Sequence, residues 1–273
     1  MRVTALPVLG AADWGGEFEG ALEPINYLFA FPPIVEITVG PLDLSISRTI
    51  LIAWFMTLVV GVFFAAAFAK PEVVPGRLQN FAEAIVDFVR NGIAREIIGP
   101  KGDAFVPLLT TFMVTIFLLN LAKITPFMMM PPTGRMAWPA MFAVISWLVF
   151  IGVGIKHQGA VGYFKEMAFP PGVPWPAYII LTPIELISNI VLRPFTLAVR
   201  LFANMAAGHI LIVITLTTIH VFLPSMPVGW TVGVFGLIAS PVVFGFELLV
   251  ITLQAYIFTM LTAVYISSSM EAH

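Results

Sequence analysis

The chain has 273 residues, of which 59% are hydrophobic and only 10% charged, with a mean hydropathy of +0.99. A soluble domain carries about a quarter charged residues, so this composition describes an integral membrane protein. A net charge of −2 provides no basic face for nucleic acid, and the absence of cysteine excludes disulfides and thiolate metal sites.

Met1 to Gly40 holds one basic residue, Arg2, against Asp13, Glu17, Glu19, Glu23 and Glu36. That pattern is neither a secretory signal nor an Arg-rich transit peptide, and it reads as part of the mature chain. The first membrane crossing is expected from about Thr49 to Ala69, closed by Lys70-Pro71; its length suits the ~20 residues a bilayer needs. From Pro75 to Ile98 the pattern changes. Leu78, Phe81, Ala82, Ile85, Phe88, Val89 and Ile93 recur at threes and fours with Glu83, Asp87, Arg90 and Arg95 between them. This predicts an amphipathic helix lying at the interface.

Phe105 to Thr125 and Met136 to Ile155 read as a helical hairpin, joined by a turn that contains Pro131-Pro132-Thr133-Gly134. A second interfacial piece, Gln158 to Met167, follows. Two apolar blocks of roughly forty residues, Pro176 to Phe222 and Trp230 to Ser269, then close the chain, each about twice a normal crossing. Four ordinary helices and two very long, steeply tilted ones both fit these blocks. The breaks cluster between them, at Pro224, Pro227 and Gly229, whereas few prolines fall within them, which favours two. The fold class expected is therefore an all-α integral membrane protein with five transmembrane helices plus an amphipathic interfacial helix.

Basic residues set the orientation. Lys70, Arg77, Arg90, Arg95 and Lys101 lie between the first crossing and the hairpin, and Lys156 and Lys165 precede the long blocks. Those loops are expected on the cytoplasmic side, with the amino terminus outside and the carboxyl terminus inside.

Chemistry is expected among the polar residues of the two long blocks. In the first, Ser188, Asn189, Arg193, Thr196, Arg200 and Asn204 make one stripe on an ideal α-helix. Arg200 is the costliest of them, because a guanidinium keeps its charge and pays at least ~2.5 kcal/mol near a bilayer centre. In the second block Ser240, Glu247 and Gln254 are spaced by seven, and Glu247 is the sole acid between Trp230 and Ser269. A carboxylate there is protonated, paired or hydrated. His209 points elsewhere from Arg200 on an ideal helix and is a candidate partner for Glu247 across the helix pair.

Each signal has a plainer structural reading. Arg200 pairs with Glu185 or Glu247 as a structural ion pair; Gln254 acts as interhelical glue; His220 sits at the interface without a catalytic part; Lys123 snorkels to headgroups from a helix end; Met128-Met129-Met130 is an apolar turn and not a metal site. The conjunction of Arg, Asn, His, Glu and Gln on two adjacent long helices favours function.

The run Arg193-Pro194-Phe195-Thr196-Leu197-Ala198-Val199-Arg200-Leu201-Phe202-Ala203-Asn204-Met205-Ala206-Ala207-Gly208-His209, with Ile251-Thr252-Leu253-Gln254-Ala255-Tyr256-Ile257-Phe258 downstream, strongly resembles subunit a of F-type ATP synthase. Val74-Pro75-Gly76-Arg77-Leu78-Gln79 and Thr182-Pro183-Ile184-Glu185-Leu186-Ile187-Ser188 also look like that family. The resemblance covers roughly Val74 to the carboxyl terminus. It departs from the common pattern at Lys123, where many relatives have an acidic or small residue, and at Ala203, where glycine is usual.

The resemblance implies a stator with two half-channels beside a rotating ring of c subunits, each bearing a lipid-facing carboxyl group. Arg200 matches the essential arginine, which attracts the ionised ring carboxylate and bars a direct leak. His209 and Glu247 match a titratable pair in the external half-channel, with acid and imidazole exchanged relative to other members. Asn204 and Gln254 match channel-lining polar positions, with Gln254 opposite Arg200, and Glu185 and Ser188 fit the cytoplasmic half-channel; Ser240, on one face with Glu247 and Gln254, is expected on the same proton path. The domain layout expected is an external segment at 1–46 and a membrane proton-channel domain at 47–273. Partners implied are the c-ring, the peripheral-stalk subunit b, the rest of the complex and membrane lipid, in a bacterial plasma membrane. No cofactor, metal or nucleic acid is expected, and without a P-loop no nucleotide chemistry is expected on this chain. A secondary transporter binding a small anion at Arg200 is the first rival, though repeated halves or broken midplane helices are wanting. A non-transporting assembly scaffold is the second.

Overall fold

The computed structural model describes residues 33–35, 38–39, 42–43, 45–125, 128, 131–168, 178–223 and 229–270. The expected acidic segment before residue 33, the turn at Pro224 and Pro227, and most of the Met128-Met129-Met130 turn lie outside them.

Two short antiparallel pairings precede the helices, where no strand was expected. β1 (Pro33–Val35) pairs with β4 (Ile46–Ser47), and β2 (Thr38–Val39) pairs with β3 (Leu42–Asp43). Ile34-Val35, Thr38-Val39 and Ile46 supply the β-branched residues that suit extended backbone.

α1 (Arg48–Ala67) follows with 20 residues, about 30 Å at 1.5 Å per residue, enough for one crossing. Ile52, Ala53, Met56 and Val60 are buried on one side, while Trp54, Phe55, Leu58 and Val62 are exposed. The amphipathic segment is α2 (Arg77–Val89), prolonged through a wide turn at Arg90–Ala94 and a last turn at Arg95–Ile97. Its burial is narrower than its pattern suggests. Ala82, Val89 and Ile93 are buried, but Leu78, Phe81 and Phe88 are exposed, as for a helix whose second apolar edge meets lipid. Arg95 grips Asp103 with both ends of its guanidinium, Nε and Nη2 each donating at 2.8 Å. That hydrogen-bonded carboxylate raises the pKa of Arg95 above its ordinary value.

α3 (Val106–Leu121) and α4 (Ala137–Gln158) form the expected hairpin, α3 being led in by a tight turn at Pro100–Phe105. Gly159, at φ 76, takes the left-handed conformation that ends α4 before the short α5 (Ala160–Ala168). The chain then enters α6 (Tyr178–Ile187), a wide turn at Ser188–Leu192, and α7 (Arg193–Phe222). The continuous span from Ile180 to Phe222 has 43 residues, and α8 (Gly229–Met270) has 42. The two blocks are therefore two very long helices. A 42-residue helix extends ~63 Å, about twice the ~30 Å hydrocarbon layer, so it inclines strongly or runs beyond the layer. Five helices among the described residues are long and apolar enough to cross a membrane, as the sequence predicts.

The larger of two compact units comprises Pro33–Ala206 and the chain from Glu247 onward. Its core joins Ile52, Ala53 and Met56 of α1, Phe112, Ile116 and Leu119 of α3, Phe142 and Ala143 of α4, Leu197, Ala198 and Leu201 of α7, and Ala255 and Phe258 of α8. Phe112, Phe142 and Phe258 meet edge to face with centroids 5.6 to 6.4 Å apart. Each such pair adds ~0.5–1.5 kcal/mol of oriented packing beyond its area. The smaller unit includes Ala207–Phe246, the end of α7 and the start of α8. Here Gly233 is required by close approach: a Cβ on it would lie 2.4 Å from the backbone nitrogen of Leu223.

Candidate functional site

The local backbone decides which polar residues of the first long block share a face. At Ser188–Leu192 the helix widens, and the Arg193 N–H donates to the carbonyl of Ser188 instead of to that of Asn189. Pro194 sits directly after this turn. Proline lacks an N–H and its ring crowds the carbonyl four residues back, so a widened turn is the local solution to its presence. The extra residue rotates everything before it by about 100° relative to the rest, and the single stripe predicted from Ser188 to Asn204 is accordingly broken. Asn189 is buried and its amide bonds Glu185, donating to the carbonyl at 2.9 Å and to Oε2 at 3.0 Å. Ser188 and Glu185 are half-buried beside it. Arg193 turns inward over the ring of Tyr265, 5.0 Å from its centroid.

Past the widened turn the face is coherent. Thr196, Arg200, Ala203 and Asn204 are exposed, while Leu197, Ala198 and Leu201 on the opposite side enter the core. Thr196 satisfies its hydroxyl on the carbonyl of Leu192 at 2.7 Å. Among the described residues no ion pair is formed by Arg200, so the reading of it as a structural pair with Glu185 or Glu247 is not realised. Both carboxylates are engaged elsewhere in the larger unit. The guanidinium of Arg200 stands exposed between Val199 and the buried Leu201.

Glu247 is the buried end of a different arrangement. It is 1% exposed, and its Oε2 accepts a hydrogen bond from Nζ of Lys123, itself 2% exposed. The expected snorkelling of Lys123 toward headgroups is thereby corrected: its backbone N–H closes a turn onto Asn120, past the end of α3, and its side chain runs inward to the carboxylate. The physical reason is that a lone carboxylate in so apolar a surround costs far more than the entropy of one lysine chain. One signal in the sequence bears on it: a sole acid on α8 in need of a partner.

One turn pair further along α8, Gln254 is 3% exposed and accepts a hydrogen bond at Oε1 from Nδ2 of Asn204, at 2.5 Å. Gln254, expected opposite Arg200, is thus in contact with Asn204, one turn further along α7. The Gln254 amide nitrogen has no partner among the described residues, and an orphaned buried donor costs roughly 1–3 kcal/mol. Ser146 on α4 donates to Thr262 at 3.0 Å, continuing the polar contacts of α8 toward its carboxyl end.

His209, Ser240 and His220 belong to the smaller unit. His209 is buried at 6% exposure; Ser240 is half-buried and its hydroxyl donates to the carbonyl of Leu237 at 3.0 Å; His220 is exposed near the end of α7. A separate cavity of about 700 Å³ lies between α1, α2 and α3, lined by Phe64, Glu83, Asp87, Arg90, Asp103 and Thr110 among others. None of the residues singled out in the long helices lines it.

The pattern of the family described as ATP synthase A chain matches residues 50–267. An ATP synthase subunit a of Rhodococcus erythropolis is 45% identical over 244 residues, covering 89% of this chain and 88% of the relative. One of Frankia alni is 40% identical over 271 residues, covering 99% and 91%, and one of Streptomyces lividans is 40% identical over 232 residues, covering 85% and 82%. With five apolar spans and a family match across nearly all of its membrane region, the chain belongs to the ATP synthase A chain family, the multi-pass membrane subunit of proton transport in F-type ATP synthase.

Proposed function

We propose that the exposed face of α7 from Thr196 to Asn204 is the seam at which this subunit meets a ring of c subunits, and that Arg200 acts there as an electrostatic gate. The observation that carries this is the state of Arg200. It is a permanent cation on an apolar helix, exposed and without an ion pair among the described residues, while the acids that would satisfy it within the chain are bound to Asn189 and Lys123. A passing ionised carboxyl group of the ring supplies the missing charge. Arginine suits the task because it cannot hand over its proton, so it favours the ionised ring carboxylate and never becomes a step in a leak.

Protons enter by an external half-channel that uses His209 and Glu247, with Ser240, Asn204 and Gln254 ordering water along it. Neutral amides serve there because they donate and accept without holding net charge. Glu185 and Ser188 serve the cytoplasmic half-channel. Residues 47–273 form the proton-channel domain and 1–46 an external segment. The amino terminus lies outside and the carboxyl terminus inside a bacterial plasma membrane, a reading supported by the basic residues at Lys70–Lys101 and Lys156–Lys165. The peripheral-stalk subunit b and the c-ring are the partners.

The test is ATP-driven proton pumping by the reconstituted complex. Arg200→Ala abolishes pumping in this reading, and an intact rate would end it. Solute-dependent uptake by the chain without ring subunits would instead support a transporter.

A further inference from the structure

The buried contact of Lys123 with Glu247 joins a residue of the α3–α4 connection to the middle of α8, and the function proposed above assigns Lys123 nothing. Two features make it more than a packing detail. Both side chains are almost wholly enclosed, at 2% and 1% exposure, so neither is solvated enough to stand charged alone. Of the other ionisable side chains that α6 and α7 contribute to the larger unit, Glu185 is bonded to Asn189, Arg193 lies on Tyr265, and Arg200 forms no ion pair among the described residues.

We propose that Lys123 is a positioning residue for proton passage: its ammonium holds Glu247 as a carboxylate, oriented and ready to accept a proton, inside the membrane domain. This rests on the reading of Glu247 as part of the external half-channel. A carboxyl group in that position without a cation would take and keep a proton, because the neutral acid is the cheaper species in apolar surroundings. It would then be an occupied site and not an acceptor. The ammonium reverses that preference, and its contact with Oε2 fixes the orientation of the carboxylate. Lysine here therefore matches the acid on α8: where the titrating group of the pair is a carboxylate, a fixed cation keeps it empty between protons.

The charge, and not the shape, of Lys123 is what matters. Lys123→Arg keeps the charge, and Lys123→Gln keeps a hydrogen-bond donor of similar reach without it. In the reconstituted complex, Lys123→Arg retains pumping within about threefold of the parent, and Lys123→Gln loses about tenfold, the equivalent of one unit in proton affinity. Equal rates in these two variants overturn the proposal. Infrared difference spectra against Glu247→Gln at neutral pH provide a second readout that needs no Lys123 variant to assemble. The parent complex shows no protonated-carboxyl band from Glu247, and finding that band overturns the proposal. Lys123→Gln gains the band where it assembles, measured against Lys123→Gln with Glu247→Gln. Should Glu247→Gln pump at the parental rate, the half-channel role of Glu247 fails, and the spectra still decide the charge state of the pair.

Discussion

Lys123 and Arg200 are both cations in apolar helical surroundings, and the chain treats them in opposite ways. Lys123 is drawn into the interior and neutralised by Glu247, a residue 124 positions away. Arg200 is left on the surface of α7 with its counter-charge missing from the described residues, while its immediate neighbour Leu201 is fully buried. The first arrangement is complete within one chain. The second leaves a permanent charge on an apolar helix with no ion pair among the described residues, which is the observation behind the gate proposed for it.

That contrast can be broken by separating stability from flux. Removing one member of the buried pair, as in Lys123→Ala, leaves Glu247 enclosed without its partner and is expected to cost ~3 kcal/mol or more, whereas Arg200→Ala costs less than about 0.5 kcal/mol. Detergent-titrated unfolding of the purified chain measures both, and equal losses would erase the distinction. Flux inverts the weighting: Arg200→Ala lowers proton pumping by about 100-fold or more, the scale of losing a preorganised charge at a reacting centre. Glu247→Gln slows pumping by roughly tenfold at least, and combining His209→Glu with Glu247→His restores part of it. A parental rate in the single variant would take Glu247 off the route. Asn204→Ala removes one hydrogen bond to Gln254 and leaves that amide without its recorded partner; thermal unfolding should report ~1 kcal/mol. The smallest effect is expected at the exposed His220, where alanine should change neither stability nor pumping beyond about 0.5 kcal/mol equivalent.

The two ends of the described chain differ in how readable they were. α1, the α3–α4 hairpin and the amphipathic α2 follow from hydropathy and a three-four pattern, because each is decided by contact with lipid or with the interface along a single segment. The short pairings between Pro33 and Ser47 carried no such signal, since two- and three-residue strands are too brief for a period to register. The stripe on the first long block failed for a different reason. An ideal helix has no place for the widened turn at Ser188–Leu192, so Asn189 and Arg193 were grouped with Arg200 when they point into other contacts. Arg200, Asn204, Glu247 and Gln254 were nevertheless legible, because a polar group in an apolar run is conspicuous by its cost.

By itself the sequence determined the setting, the number of crossings, the two double-length helices and the family, since composition, run length and a specific motif are properties of local chain. Only the tertiary structure decided the partners. That Glu247 belongs with Lys123, Asn204 with Gln254 and Arg193 with Tyr265 depends on which helix faces which, and electrostatic and hydrogen-bond satisfaction in an apolar medium is settled by three-dimensional proximity and not by spacing. The same packing that encloses Lys123 against Glu247 leaves Arg200 exposed on α7.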